Sequence, residues 1–316
     1  MIAFNNGFQE VVVLVAESQR SAQRLQAIFG FEILATAAVQ PAALALLGLD
    51  PAWTAEEILL GDAAQQRGYI RLISVQGQRL PVERDGARAW DSGGIFDFNI
   101  RALRSIEDVQ SKMTDHGFVG HAPITHWQFG PLDVKEVVLS DADGLCIALM
   151  QRLAPPLTGY EHVAGPVSYV FNSTQVVRDF DAARAFFVDH LGWQVVQETT
   201  MKQSQSVNCM GLPLDVARDR EMRIGIYQAN GKMEGSIEII AYDVEGLDFS
   251  DAPAASRGIK AVRLPLSDPQ AMLDKAEAAG CQMEPLRVVE IAPYGKVEMG
   301  AFITPWGARF QPFRIL

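Results

Sequence analysis

The chain repeats itself, and the repeat limits the folds open to it more than any other feature. Gln19-Arg20-Ser21-Ala22-Gln23-Arg24 leads into Phe29-Gly30-Phe31-Glu32, and Asp181-Ala182-Ala183-Arg184-Ala185-Phe186 leads into Leu191-Gly192-Trp193-Gln194, with Gly30 and Gly192 standing 162 residues apart. Gly68-Tyr69-Ile70-Arg71-Leu72 recurs as Gly235-Ser236-Ile237-Glu238-Ile239 at an offset of 167. Gly117 recurs as Gly280, and Ser140-Asp141-Ala142-Asp143-Gly144 as Ile303-Thr304-Pro305-Trp306-Gly307, both at 163. Landmarks in one order at nearly one offset mark a tandem duplication. A chain of 316 residues is long enough for two units, each burying its own core.

Each unit divides again. A β run at Glu10–Val15 precedes a stretch, Ser18 to Phe29, whose apolar Ala22, Leu25, Ile28 and Phe29 recur at helical spacing before Gly30 stops it. A strand from Phe31 and further short apolar runs follow, ending at Tyr69–Val75. The pattern restarts with a strand at Ile95–Arg101, a helix from Ile106 to His116 and a stop at Gly117, then short strands to Leu149. In the second unit, strands at Val167–Gln175 and Ile259–Leu264 lead into helices at Phe180–His190 and Pro269–Ala279. Single helices crossing back onto antiparallel strands predict an α+β fold of four βαβββ modules, paired into two half-barrel domains. The expected domains are 1–152 and 165–316, with 153–164 as a linker punctuated by Pro155-Pro156, Gly159 and, just beyond it, Gly165-Pro166.

Composition excludes several partners. There are 27 basic against 38 acidic side chains, a net charge of −11, and the basic ones are scattered. A nucleic-acid surface needs a basic stripe to displace counterions, and an anionic membrane would repel this chain. The first apolar run, Val11 to Ala16, is too short for a signal or a span, so a cytoplasmic location is expected. Cys146, Cys209 and Cys281 are distant from one another and sit among apolar residues, as buried thiols do.

Two motifs carry a family resemblance. One is Val177-Arg178-Asp179-Phe180-Asp181-Ala182-Ala183-Arg184-Ala185-Phe186-Phe187 followed by Leu191-Gly192-Trp193; the other is Asp141-Ala142-Asp143-Gly144 with the strand Leu145 to Leu149, repeated in altered form at Thr304-Pro305-Trp306-Gly307. Four modules in order with these signatures resemble the vicinal-oxygen-chelate superfamily of glyoxalases, bleomycin-resistance proteins and extradiol dioxygenases, in its two-domain form. The resemblance implies glyoxalase-like cups and a divalent metal held at a cup floor by His, Glu or Gln, acting as a Lewis acid on adjacent substrate oxygens.

Counting from the Leu-Gly landmarks, the implied ligand positions of the first unit fall at Glu10, Arg71, near Asp97 and at Ala148, and those of the second at Asn172, Glu238, about Lys260–Ala261 and Gln311. Arginine stays protonated and alanine has no donor, so the metal triad is not expected and no cofactor is predicted; a divalent iron, manganese, zinc or nickel is the alternative. The expected catalytic groups are Glu10, Arg71 and Asp97 in one cup, with Glu238 in the other and His121 as a general base. Asn172, Gln311, Trp127 and His126 are expected to bind substrate. These groups suit a small-molecule enzyme of lyase, isomerase or hydrolase type working beside a carbonyl or phenol. A metal-free protein sequestering an aromatic compound and a metal-dependent dioxygenase or glyoxalase are the alternatives. Unpaired sheet edges also allow a homodimer.

Overall fold

The computed structural model describes residues 4–129, 131–202, 208–213, 216–217 and 220–316. The first module comprises β1 (Glu10–Leu14), α1 (Ser18–Phe29), β2 (Glu32–Ala38), α2 (Pro41–Leu46), β3 (Ala55–Gly61) and β4 (Tyr69–Val75). The second comprises β5 (Asp97–Ala102), α3 (Ile106–Asp115), β6 (Val119–Gly120), β7 (Thr125–Phe129), β8 (Leu132–Ser140) and β9 (Cys146–Ala154). The third comprises β10 (Val167–Val176), α4 (Phe180–Ala185, continued by a π-helical turn to His190), β11 (Gln194–Lys202), β12 (Glu221–Gln228) and β13 (Ser236–Tyr242). The fourth comprises β14 (Gly258–Pro265), α5 (Pro269–Ala278), β15 (Gln282–Ile291), β16 (Gly295–Ile303) and β17 (Arg309–Ile315).

The helix boundaries follow from local chemistry. Gly30 ends α1 in the left-handed conformation at φ 75°, where its amide bonds the Gln26 carbonyl. Ser105, Asp179 and Asp268 cap α3, α4 and α5 by accepting an amide hydrogen bond from three residues on. No helix among the described residues is long and apolar enough to cross a membrane.

All four modules share one plan, in which the first strand lies parallel to the last and the remaining strands continue outward from there. The modules join crosswise. One sheet runs β15-β16-β17-β14-β1-β4-β3-β2, so the first module pairs with the fourth through antiparallel β1 and β14. The other runs β11-β12-β13-β10-β5-β9-β8-β6, the second module pairing with the third through antiparallel β10 and β5. Each cup therefore takes one module from either side of residues 153–164.

Alternation along the strands divides the interior into three layers. Val11 and Val13 of β1, Phe98 and Ile100 of β5, Phe302 and Phe310 of the fourth module and the inner faces of the helices form one apolar core on the convex side of both sheets. Val12, Leu14, Ile73, Phe313 and the leucines of α2 fill the concave side of the first sheet. Phe96, Val138, Ala148, Met222 and Ile240 lie on the concave side of the second.

Candidate functional site

The cup of the first sheet is plugged. Ala43, Leu44 and Leu46 of α2 are buried in it, each Leu contributing on the order of 1.5–3 kcal/mol by leaving water. The α2 segment was not expected, because six residues are too few to show a helical period. Beneath the plug lies an ion cluster. Arg71 donates to both Glu10 oxygens at 2.7 and 3.0 Å and lies 2.8 Å from Glu57. Arg263 donates to Glu10 at 2.8 Å and to Gln311 Oε1 at 2.9 Å, and the Tyr294 hydroxyl donates to Glu10 at 2.7 Å. Gln311 in turn donates to the Leu46 carbonyl at 3.1 Å, tying the cluster to the plug. Burial alone would push the Glu10 carboxyl up, but Arg71 and Arg263 outweigh it and hold it at about 2. Glu10 is held ionised between the two guanidinium groups, while burial raises the neighbouring Glu57 carboxyl; closed in by packing, the cluster serves the architecture.

The second sheet keeps a hollow cup, a cavity of about 180 Å³. An apolar cavity of roughly 150 Å³ holds a benzene ring, so this one accommodates a compound of similar size. Its walls are mostly apolar: Trp127 from β7, Phe171 from β10, Ile224 and Ile226 from β12, and methionines including Met150, Met201 and Met233. Unbranched thioethers repack around irregular shapes more readily than aliphatic side chains do.

A short list of polar groups interrupts this wall. On β5, Asp97, Asn99 and Arg101 share the concave face, since each is two residues from the next. Asp97 is buried, and burial pushes its carboxyl up to about 7 against the opposing hydrogen bond from Thr174. Glu136 of β8 is likewise raised by burial to about 7, with the Cys209 thiol donating to it at 3.5 Å. Glu238 of β13 stands well above the usual carboxylate range, first through burial and then through Asp97 and Glu136. Glu238 lines the cavity. The Tyr242 hydroxyl, also facing the cavity wall, is buried without a hydrogen-bond partner among the described residues.

The expected distribution of residues between cups is corrected by this pairing. Glu10 and Arg71 share the plugged cup with Gln311, not with Asp97; Asp97 shares the hollow cup with Asn172 and Glu238. Asn172 accepts from the Asn99 amide at 2.7 Å and donates to Ser236 at 2.8 Å. Trp127 lines the cavity, whereas His126, one residue earlier on β7 and so on the other face, is half-exposed and hydrogen-bonded to Asp133. His121 lines a separate pocket with Arg84 and Cys146, its ring 3.2 Å from the Ser140 hydroxyl, and burial followed by the charge of Arg84 lowers its pKa. Lys260, near another expected ligand position, is ion-paired with Glu83. The three cysteines are free and buried.

Counting from landmarks selected one residue per strand and passed over Asn99, Arg101, Glu136 and Arg152. The polar–apolar alternation of Asp97-Phe98-Asn99-Ile100-Arg101 was the signal available for two of them.

A divalent ion needs lone pairs converging on one open point. In the hollow cup, oxygens of Asn172, Thr174 and Asp97 converge instead on the Asn99 amide nitrogen, at 2.7, 2.9 and 3.5 Å. In the plugged cup Glu10 is surrounded by two guanidinium groups. Among the described residues no three His, Cys, Asp or Glu side chains are placed to hold a metal ion. The donor sets do not fit the ion this fold implies.

The fold is similar to that of glyoxalase I, with four βαβββ modules paired into two cups. Glyoxalase I from Zea mays superposes with a TM-score of 0.63 at 13% identity, covering 98% of this chain and 92% of that one. A protein of Bacillus subtilis described as a dioxygenase superposes with a TM-score of 0.59 at 12% identity, covering 99% and 86%. At such identities the likeness speaks for the fold. No protein-family model matches the sequence, and no curated protein matches it.

Proposed function

We propose that the hollow cup binds a small, largely apolar organic compound without the help of a metal. One observation carries this reading: of two cups built on the same plan, one is packed with α2 and an ion cluster, while the other keeps a ring-sized cavity walled by methionine, tryptophan and isoleucine. Burial raises the two carboxyls that line it, Glu136 to about 7 and Glu238 well above the usual range, so this wall carries less negative charge than two ordinary carboxylates would.

The test is a screen of single-ring compounds by intrinsic tryptophan fluorescence and thermal shift, run in parallel on the native chain and on Ile226→Trp, which fills the cavity. Saturable binding to the native chain that is lost in the folded variant is the expected result. Equal response of both proteins would remove the cavity from the account.

Glu136 favours a second reading. A carboxyl at about 7 is poised to exchange a proton at neutral pH, which suits general acid–base work on the bound compound. Once a ligand is in hand, its conversion by the native chain and not by Glu136→Gln would support this reading; absence of conversion by the native chain would refute it.

A further inference from the structure

The cavity is polarised along its length. Asp97 opens β5 and lies beside Thr174, in the same layer as Glu238, while Arg101 lies four residues further along the same face. At about 3.3 Å per residue that is roughly 13 Å of strand. On the neighbouring parallel strand β9, Met150 is level with Arg101, and Arg152 lies one same-face step beyond. Both arginines line the cavity. Of the carboxyls that line the cavity, Glu238 therefore stands toward one end and the two guanidinium groups toward the other, while Glu136, level with Met150, lies on the far side of β9.

The arginine end is built but under-neutralised. Arg101 is buried, its guanidinium stacked 3.6 Å from the Phe171 ring centroid and donating to the Tyr160 hydroxyl at 3.1 Å. Its carboxylate partner is Glu234, 3.4 Å away and one-third exposed. Among the described residues no carboxylate lies within ion-pair distance of Arg152, which is half-buried. Burial, then the repulsion of Arg101, lowers the pKa of Arg152, as expected of two cations crowded against one acid.

Resting on the binding reading above, we infer that this end of the cavity is a subsite for an anionic oxygen group, so that the compound held is a small organic acid with an apolar body about one ring in size. A planar guanidinium fork matches a carboxylate in a way that a lone ammonium does not, and the stack on Phe171 holds one fork in place before binding. Toward the other end, Glu238, whose carboxyl burial raises well above the usual range, offers a hydrogen bond to a neutral oxygen and leaves the negative charge of the ligand at the arginine end.

Isosteric probes separate the possibilities: benzoate, benzamide and benzylammonium, titrated calorimetrically at pH 7 into the native chain and into Arg152→Gln. Arg152 is the position to vary because Arg101 is stacked in the wall. Benzoate is expected to bind at least about 10-fold more tightly than benzamide, and to lose most of that margin in Arg152→Gln, whereas Arg152→Lys recovers part of it. Benzamide or benzylammonium binding as tightly as benzoate, or a margin that survives in Arg152→Gln, overturns the anionic subsite while leaving the binding reading in place. If none of the three binds, the inference fails; if the wider screen also fails, the binding reading fails with it.

Discussion

Glu10 and Arg263 come from opposite ends of the chain, 253 residues apart, and meet side by side across β1 and β14 in a buried ion pair of 2.8 Å. Each belongs to the opening strand of its module, so their contact marks the crosswise pairing of first and fourth modules. Arg71, from the parallel neighbour β4, closes on the same carboxylate. Removing the carboxylate leaves Arg263 buried without a carboxylate partner and Arg71 with Glu57 alone, and breaking a buried pair in this way costs about 3–5 kcal/mol. Glu10→Ala is therefore expected to lower the unfolding free energy by that amount without changing ligand affinity in the hollow cup. Urea titration measures the first quantity and fluorescence titration the second. A loss below about 1 kcal/mol would show that the cluster does not hold the plugged cup together.

Acid and base should act on different cups. The Glu10 carboxyl sits at about 2 in the folded chain against 4.5 as its ordinary value, so it contributes stability above about 4.5 that disappears as pH falls toward 2. Asp97 and Glu136 are shifted the other way, from 3.8 and 4.5 to about 7. Between those values the folded state holds more protons than the unfolded state, so stability falls as pH rises from about 4 toward 7. Glu136→Gln keeps the shape and removes the titration. Its stability is expected to decline less than that of the native chain over this range, as read from urea midpoints at successive pH values. Parallel curves for the two proteins would contradict the assignment of a neutral Glu136.

Much of the fold was legible because it rests on short-range signals. Ser18 to Phe29 is the predicted helix residue for residue, and Tyr69–Val75 the predicted strand. Apolar spacing and a helix-stopping glycine suffice for such elements. The pairing of modules was not legible, since two antiparallel partners of similar composition compete for each opening strand and nothing local chooses between β5 and β14 as the partner of β1. That single ambiguity scattered the site. Glu10 was expected beside Asp97, and Gln311 beside Asn172. Arg101 and Arg152 were missed for another reason: a charged side chain lining a strand reads as solvent-facing unless the opposite wall is known.

The two sheets touch where Gly68, ahead of β4, meets β10. The Val170 amide donates to the Gly68 carbonyl at 3.1 Å, and Gly68 itself adopts φ +70°. A Cβ there would lie 2.3 Å from the Val170 carbonyl oxygen, well inside van der Waals contact. Gly77 has the same φ and open space around it, which makes it the control. Gly77→Ala is expected to cost about 1–2 kcal/mol through backbone strain alone. Gly68→Ala adds the clash and is expected to cost roughly 2 kcal/mol more. Equal losses in thermal or urea unfolding would mean that the junction between the sheets yields without resistance.

Metal dependence supplies the sharpest contrast with the resemblance. At the floor of the hollow cup the Asn99 amide nitrogen stands among the oxygens of Asn172, Thr174 and Asp97, a hydrogen-bond donor occupying the centre of a would-be ligand set. A cation there would have to expel or turn that amide and ionise Asp97, whose carboxyl is held near 7 by burial. Chelator treatment followed by titration with iron(II), manganese, nickel or zinc is therefore expected to leave the melting temperature unchanged, with no stoichiometric binding by calorimetry. Replacing the obstructing donor gives the complementary measurement. Asn99→Asp offers an extra carboxylate beside Asp97 and Glu238, and it should create weak metal affinity at higher pH, where all three ionise. A tight ion in the native chain, held more weakly after Asp97→Asn, would show that the amide turns aside and that the chelate survives.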